Sequence, residues 1–223
     1  FAVPFLIAIN WISLIKNVLR EKDDNNIEML KFINTGTIDK YESLWGKKKT
    51  QYIKGGYLYP VIRKADLDSI NENRTIQAAS PKLIVAGMCY EIEALYDEGG
   101  TLAGKSTSII IGESKLLKYV LALINSKLLN FWLRINYNSL KMAGGYINVG
   151  VNELRSLPIS YNPNYIETLS KFVDLINNKP TSNIIEKIDH IVYHLYGLTY
   201  DEVLIVDPKT PITREDYENY EYE

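Results

Sequence analysis

At 223 residues and 46% hydrophobic content, the chain is long enough for one sizeable core, or for a main domain with a helical appendix, and its composition excludes a disordered or fibrous protein. The single cysteine, Cys89, rules out an internal disulfide and a cysteine-built metal cage; it reads as a small core residue in a reducing, cytoplasmic compartment. A net charge of −2 hides an asymmetry: residues 201–223 hold eight acids against Lys209 and Arg214, which leaves 23 basic and 19 acidic side chains in residues 1–200.

The opening Phe1–Ile15 is apolar but interrupted by Asn10 and Ser13, and no basic residue precedes it. It is too short to span a bilayer and lacks a signal-peptide layout, so no membrane partner is expected. A start at Phe1 rather than methionine suggests a piece of something larger, with this segment packed on a missing neighbour or offered to a partner protein. Pro4–Arg20 reads as a helix, Lys22–Asn26 as a polar break, Ile27–Ile33 as a short second helix and Asn34–Thr37 as a turn. From Tyr41 to Ile62 aromatic and basic residues interleave, and Lys47–Lys64 contains Lys47, Lys48, Lys49, Lys54, Arg63 and Lys64 with no acid. Two readings stand for this run: a hairpin with a solvated lysine turn, or a surface whose lysines meet phosphates and whose tyrosines stack on bases.

Ala65–Arg74 reads as polar connector. Lys82–Ala86 and Thr107–Ile111 are short β-branched runs expected as buried strands, and Tyr90–Leu102 as a hairpin turning at Asp97–Gly100. Leu117, Val120, Leu121, Ile124, Leu128, Phe131, Trp132 and Ile135 recur at helical spacing, which predicts one long core helix over Lys115–Ile135. A Gly144-Gly145 loop, a strand at Tyr146–Val149 and a helical turn ending at Leu157-Pro158 follow. Asn162-Pro163 opens a helix to about Asn177, Asn183 begins another that Gly197 stops, and Thr199–Glu202 forms a capping box. Beyond Asp207 the chain reads as a loosely held acidic tail. The fold class is α+β: a mixed or antiparallel sheet on a long core helix with a C-terminal helical appendix.

Three patterns suggest chemistry. Gly99–Ser106 spells a phosphate-binding loop, but acids precede it and a β-branched run follows, so the strand and helix that such a site requires are missing. His190 and His194 sit one helical turn apart with no glutamate after the first and no third ligand, so no metal site is assigned. Glu91, Glu93 and Asp97, with Lys105, make a metal-dependent nuclease the enzyme alternative, because strand alternation would put Glu91 and Glu93 on one face.

Six strings in fixed order carry a resemblance: Ile33–Tyr41 (INTGTIDKY), Tyr52–Ile62 (YIKGGYLYPVI), Ser80–Met88 (SPKLIVAGM), Ala103–Thr107 (AGKST), Leu121–Arg134 (LALINSKLLNFWLR) and Ala143–Ile159 (AGGYINVGVNELRSLPI). Over roughly Ile33–Ile159 the chain resembles the C-terminal target-recognition domain of TaqI-like adenine-specific DNA methyltransferases and of fused type IIG restriction–modification enzymes. The resemblance implies a prokaryotic restriction–modification protein and double-stranded DNA as partner. It also implies a methyltransferase domain, with or without a nuclease domain, elsewhere in the parent. The family's Asn-Pro-Pro-aromatic tetrapeptide and its S-adenosylmethionine strand–turn are absent from these residues, so no catalytic residue and no cofactor is assigned here; S-adenosylmethionine, and Mg for a cleaving parent, are expected of the parent. The implied organisation is a linking segment over 1–32, the DNA domain over 33–160, a helical extension over 161–206 and the tail over 207–223.

Candidate DNA contacts fall on loops. Lys47, Lys48, Lys49 and Lys54 with Gln51 and Tyr52, then Lys105-Ser106, then Lys141 with Gly144, Gly145 and Tyr146, and Asn148, are the expected set. Lysines fix register on phosphates, Gln51 or Asn148 read adenine edges, and the paired glycines admit a close backbone approach. Asn125-Ser126-Lys127 is read as a helix-packing feature.

Overall fold

The computed structural model describes residues 11–23, 28–52, 55–138, 144–178 and 182–220; side chains are described from Ile15 onward and not for 177–178. In chain order the first elements are α1 (Trp11–Val18), β1 (Arg20–Glu21), β2 (Met29–Ile33), β3 (Ile38–Asp39), β4 (Glu42–Ser43), β5 (Thr50–Tyr52), β6 (Gly55–Tyr57) and β7 (Pro60–Arg63). They are followed by α2 (Lys64–Ile70), α3 (Glu72–Ala79), β8 (Lys82–Ala86), β9 (Met88–Cys89), β10 (Ala94–Asp97), β11 (Thr101–Ala103) and β12 (Thr107–Ile111). The remainder is α4 (Ser114–Asn125), α5 (Lys127–Asn136), β13 (Ile147–Asn148), α6 (Val151–Ser156), α7 (Ile166–Asn178), α8 (Ser182–Leu195), α9 (Tyr200–Val206) and α10 (Arg214–Glu218).

Two small sheets organise this α+β chain. One has the order β1-β7-β2-β11, antiparallel except where β11 runs parallel to β2; the other is the antiparallel set β10-β8-β12. All five residues of β8 are buried, as a central strand covered on both faces requires. Its Leu83, Ile84 and Val85 share the main core with Leu121, Leu123 and Ile124 of α4 and with Leu169 and Val173 of α7. A second core joins Ile15, Leu30, Phe32, Ile62, Leu67 and Leu102 beside the first sheet, and a third gathers Tyr193, Val203, Val206 and Tyr217. No single helix among the described residues is long and apolar enough to cross a membrane.

Several expectations change. The segment expected as a second helix is β2, in which Leu30 and Phe32 point inward while Lys31 is exposed; the period is two. The polar connector is α2 and α3, in which Leu67, Thr75 and Ala78 are buried and Ile70 packs partly buried against the second core. No hairpin joins β10 to β11, because each pairs with a different sheet. Gly99 and Gly100 carry the chain across at φ 132° and 95°, and a Cβ on Gly99 would lie 2.4 Å from the Ala79 carbonyl oxygen. The acidic stretch expected to hang loosely forms α10, with Tyr217 buried and its hydroxyl donating to the Leu198 carbonyl at 2.7 Å.

The long helix is broken at Ser126, where α4 and α5 meet at 59°. Ser126 is extended (φ −65°, ψ 155°), its hydroxyl donates to the Leu123 carbonyl at 2.6 Å, and it accepts the Leu129 amide of the next helix at 3.3 Å. Asparagines on either side of the break bond to β10 and to the residue two before it. Asn125 accepts the Ala94 N–H at 3.1 Å and donates to the Ala94 carbonyl at 2.9 Å, while Asn130 accepts the Ile92 N–H at 2.5 Å. The Asn-Ser-Lys string is thus a packing device, though it sits at a helix junction rather than mid-helix. The Ala94 carbonyl also accepts the Tyr41 amide, so losing Asn125 orphans mainly the Ala94 N–H. Asn125→Ala is expected to cost about 1–3 kcal/mol, read as a lowered denaturant midpoint with an unchanged slope.

Candidate nucleic-acid interface

The turn Asn34–Thr37 is a hydrogen-bonded hub. The Thr35 hydroxyl donates to the Ser106 carbonyl and accepts the Gly87 amide at 3.1 Å; that amide also reaches the Ser106 carbonyl at 2.9 Å. The Ser106 hydroxyl donates to Asn34 Oδ1, the Gly104 amide donates to the Ile33 carbonyl, and the Val149 amide donates to the Gly87 carbonyl. Four segments distant in sequence are therefore tied at one place. Glycine is required at two of them: a Cβ would lie 2.5 Å from the Ser106 carbonyl oxygen at Gly87, and 2.5 Å from Asn34 Oδ1 at Gly104.

From this hub the surface extends two ways. Toward the β5–β6 hairpin, the buried Thr50 and Thr37 hydroxyls lie 3.4 Å apart and the Leu44 amide donates to the Thr37 carbonyl. Lys48 and Lys49 are exposed beside β5, Gln51 is exposed on it, and Lys47 pairs with Glu42. Tyr52 turns inward on the next step of the pleat, its ring edge-on to Phe32 at 5.0 Å, and burial raises its hydroxyl pKa. It is a core residue and is removed from the contact set. Lys105 and Ser106 lie exposed on the turn after β11. In the other direction, β9 pairs with β13 so that Asn148 lies opposite Met88, both exposed. Gly144 and Gly145, at φ 92° and 85°, bring Tyr146 onto Tyr90 with ring centroids 4.0 Å apart and planes 29° apart. Tyr90 is 54% exposed and Tyr146 37%, so this stack belongs to no core. Lys54 and Lys141 lie outside the described residues.

Met88, Tyr90, Asn34 and Thr35 were not among the expected contacts. The signal for the first two is the exposed alternation Met88-Cys89-Tyr90 directly after a buried strand; Tyr90 becomes conspicuous only once Tyr146 is placed on it.

The other patterns resolve structurally. Gly104-Lys105-Ser106 leads into β12 rather than a helix, so no amide ring or helix dipole faces a phosphate there. Residues 91–93 are not strand, and the three carboxylates have different environments. Glu91 is penalised by burial, but Lys40, bonded at 2.7 Å, and the Arg134 charge outweigh this and hold it low. Burial, helped by Asp39, raises Glu93, and Asp97 accepts from the buried Lys82 and from the Thr101 hydroxyl. Among the described residues no three metal-ligating side chains converge. His190 and His194 are inside an aromatic stack: His194 lies 4.1 Å from Tyr217 and His190 4.2 Å from Tyr220. Burial, with the neighbouring His194, pushes His190 down to about 4.

A family description, the TaqI-like C-terminal specificity domain, matches residues 29–159, which run from the first residue of β2 to just beyond α6. A search of curated proteins finds no match. Because the matched segment holds every strand of the hub, Gly87→Ala is expected to open it: a Cβ 2.5 Å from backbone oxygen forces a shift costing about 1–3 kcal/mol, measured by chemical denaturation. Gly36→Ala, with open space around its Cβ, is the control and should stay within about 0.5 kcal/mol.

Proposed function

The chain belongs to the TaqI-like C-terminal specificity domain family, a DNA-recognition module of methyltransferases and restriction enzymes, and from that premise we propose that it reads its target through the strip centred on the Thr35 hub. Lys48, Lys49 and Lys105 meet phosphates and set the register. Gln51 and Asn148, whose carboxamides match the donor–acceptor pair of adenine, read base edges. The Tyr90–Tyr146 stack offers an aromatic face at the far end of the strip. The observation that carries this reading is the bonding of Thr35 to Gly87 and Ser106, which collects the hairpin, the lysine turn and the β9–β13 ribbon at one hub.

The finer assignment is an adenine-specific methyltransferase or a fused type IIG enzyme of a prokaryotic restriction–modification system, working in the cytoplasm. Under this reading the parent's catalytic domain binds S-adenosylmethionine, a cleaving parent also needs a divalent metal such as Mg, and this chain binds neither. The nuclease alternative is disfavoured because Glu91 is held by Lys40 and Asp97 by Lys82. An interaction role for Phe1–Ile15 concerns a segment outside the described residues except at its end, where Ile15 is fully buried.

A salt titration on a cognate and a scrambled duplex tests the strip. Each phosphate contact contributes roughly 0.9 to the slope of log affinity against log salt, so Lys48→Ala with Lys49→Ala should flatten that slope by up to about 2 units on both duplexes. Lys47→Ala should change it less, because that ammonium is already paired with Glu42. Gln51→Ala or Asn148→Ala should leave the slope intact and narrow the cognate preference by about 1–3 kcal/mol. An unchanged slope in the double-lysine variant would remove the hairpin from the DNA surface.

A further inference from the structure

β9 and β13 form a two-stranded ribbon with one sealed face and one open face. Cys89, Ile147 and Val149 belong to the main core, at 2%, 1% and 0% exposure. The side chains that alternate with them, Met88, Tyr90, Tyr146 and Asn148, are all exposed, and none carries a charge. The register sets Asn148 opposite Met88 and Ile147 opposite Cys89, so the Tyr90–Tyr146 stack is the next cross-strand pair on the open face. At its other end the ribbon is anchored to the hub: the Gly87 carbonyl accepts the Val149 amide, and the Gly87 amide donates to the Ser106 carbonyl, next to the exposed Lys105.

A lone exposed methionine is ordinary on a protein surface. Met88, however, is one member of a cross-strand pair whose other member is a carboxamide, and the Cβ atoms of such a pair stand about 4.5–5.5 Å apart. In the major groove of a duplex an A·T pair shows the two matching chemistries side by side: the N6 donor and N7 acceptor of adenine, and the 5-methyl group of thymine. A G·C pair offers no methyl group, and the groove admits a two-stranded ribbon. We propose that Met88 and Asn148 read one A·T pair together, Asn148 bonding to the adenine edge while the Met88 thioether packs on the thymine methyl. Given the strip as the DNA surface, on which this assignment rests, Met88 becomes a specificity-determining residue and the base pair read by the ribbon is named. An unbranched, polarizable thioether can follow a methyl group without any shift of the strands. The tyrosine stack holds the strands in register on one side, and Lys105, tied to Gly87 through Ser106, stands ready for a phosphate on the other.

Duplexes enriched by the protein from a random-sequence library supply the probe. In the enriched site each thymine is replaced in turn by uracil, which removes only the 5-methyl group, and each adenine by 7-deazaadenine, which removes the N7 acceptor. One thymine should carry a roughly threefold to fivefold loss of affinity, the worth of one buried methyl, and the adenine paired with it a loss of about fivefold or more. Met88→Ala should bind the unmodified site more weakly by the same factor and lose the uracil penalty at that position alone, whereas Met88→Leu should keep it. Asn148→Ala should erase the 7-deazaadenine penalty. Met88 is 44% exposed, so its replacement leaves the core intact. The assignment is overturned, with the strip still the DNA surface, by an enriched site that has no A·T pair, by the absence of any thymine penalty, or by a penalty that Met88→Ala leaves unchanged. It is equally overturned if the adenine penalty that Asn148→Ala erases falls in a different base pair. Failure to enrich any sequence would instead overturn the DNA reading of the strip, and this assignment with it.

Discussion

Buried backbone groups at the edge of a small sheet must find partners, and here two asparagines supply them. The three-stranded sheet ends at β10, whose outer edge has no ladder with a further strand among the described residues. Asn125 offers Ala94 a donor and an acceptor as a neighbouring strand would, and Asn130 does half as much for Ile92. Asn125 closes α4 and Asn130 lies in α5, so the two side chains stand on either side of the 59° break at Ser126. Tyr41 donates to the Ala94 carbonyl as well. The sheet edge thereby holds the segment that begins at the Asn34–Thr37 turn, and the position of the proposed DNA strip depends on it.

Features governed by neighbours in sequence were legible. Lys82–Ala86 and Thr107–Ile111 are strands as their β-branched runs predict, the first buried throughout and the second only half-buried over Ile109–Ile111, and the Thr199–Glu202 box forms through the two residues that define it. Features governed by distant partners were not. A five-residue apolar run such as Met29–Ile33 carries too little periodicity to separate strand from helix, and β7 and β11 decide it. The apolar spacing runs unbroken through Ser126, so the bend leaves no mark until Ala94 and Ile92 are placed. Polar helices α2 and α3 show few inward residues and read as connector.

The candidate site divides along the same line. Charge and loop chemistry marked Lys48, Lys49, Lys105 and the glycines, because these are local properties. An aromatic residue in a basic stretch looks the same whether its ring faces solvent or core, and only the pleat of β5, with Thr50 and Tyr52 in and Gln51 out, distinguishes them. Pairing sorts the cations further. Within the strip Lys47 holds Glu42, whereas Lys48, Lys49 and Lys105 are exposed and form no salt bridge among the described residues.

The parallel pairing of β11 with β2 bears on how the chain folds. Thr101 faces Lys31 across about seventy residues, and the hub adds contacts from Thr35 to Gly87 and Ser106, so most of the strip is held by pairings of high sequence separation. Closing such loops costs entropy before any contact repays it, so in nucleation terms these pairings belong after the local α4–β8–β12 packing. A weakened hub would then leave the folding rate nearly unchanged and accelerate unfolding. During synthesis from the N-terminus, the outer edge of β2 stays uncovered until Thr101–Ala103 emerges, which leaves it open to mispairing in the nascent chain.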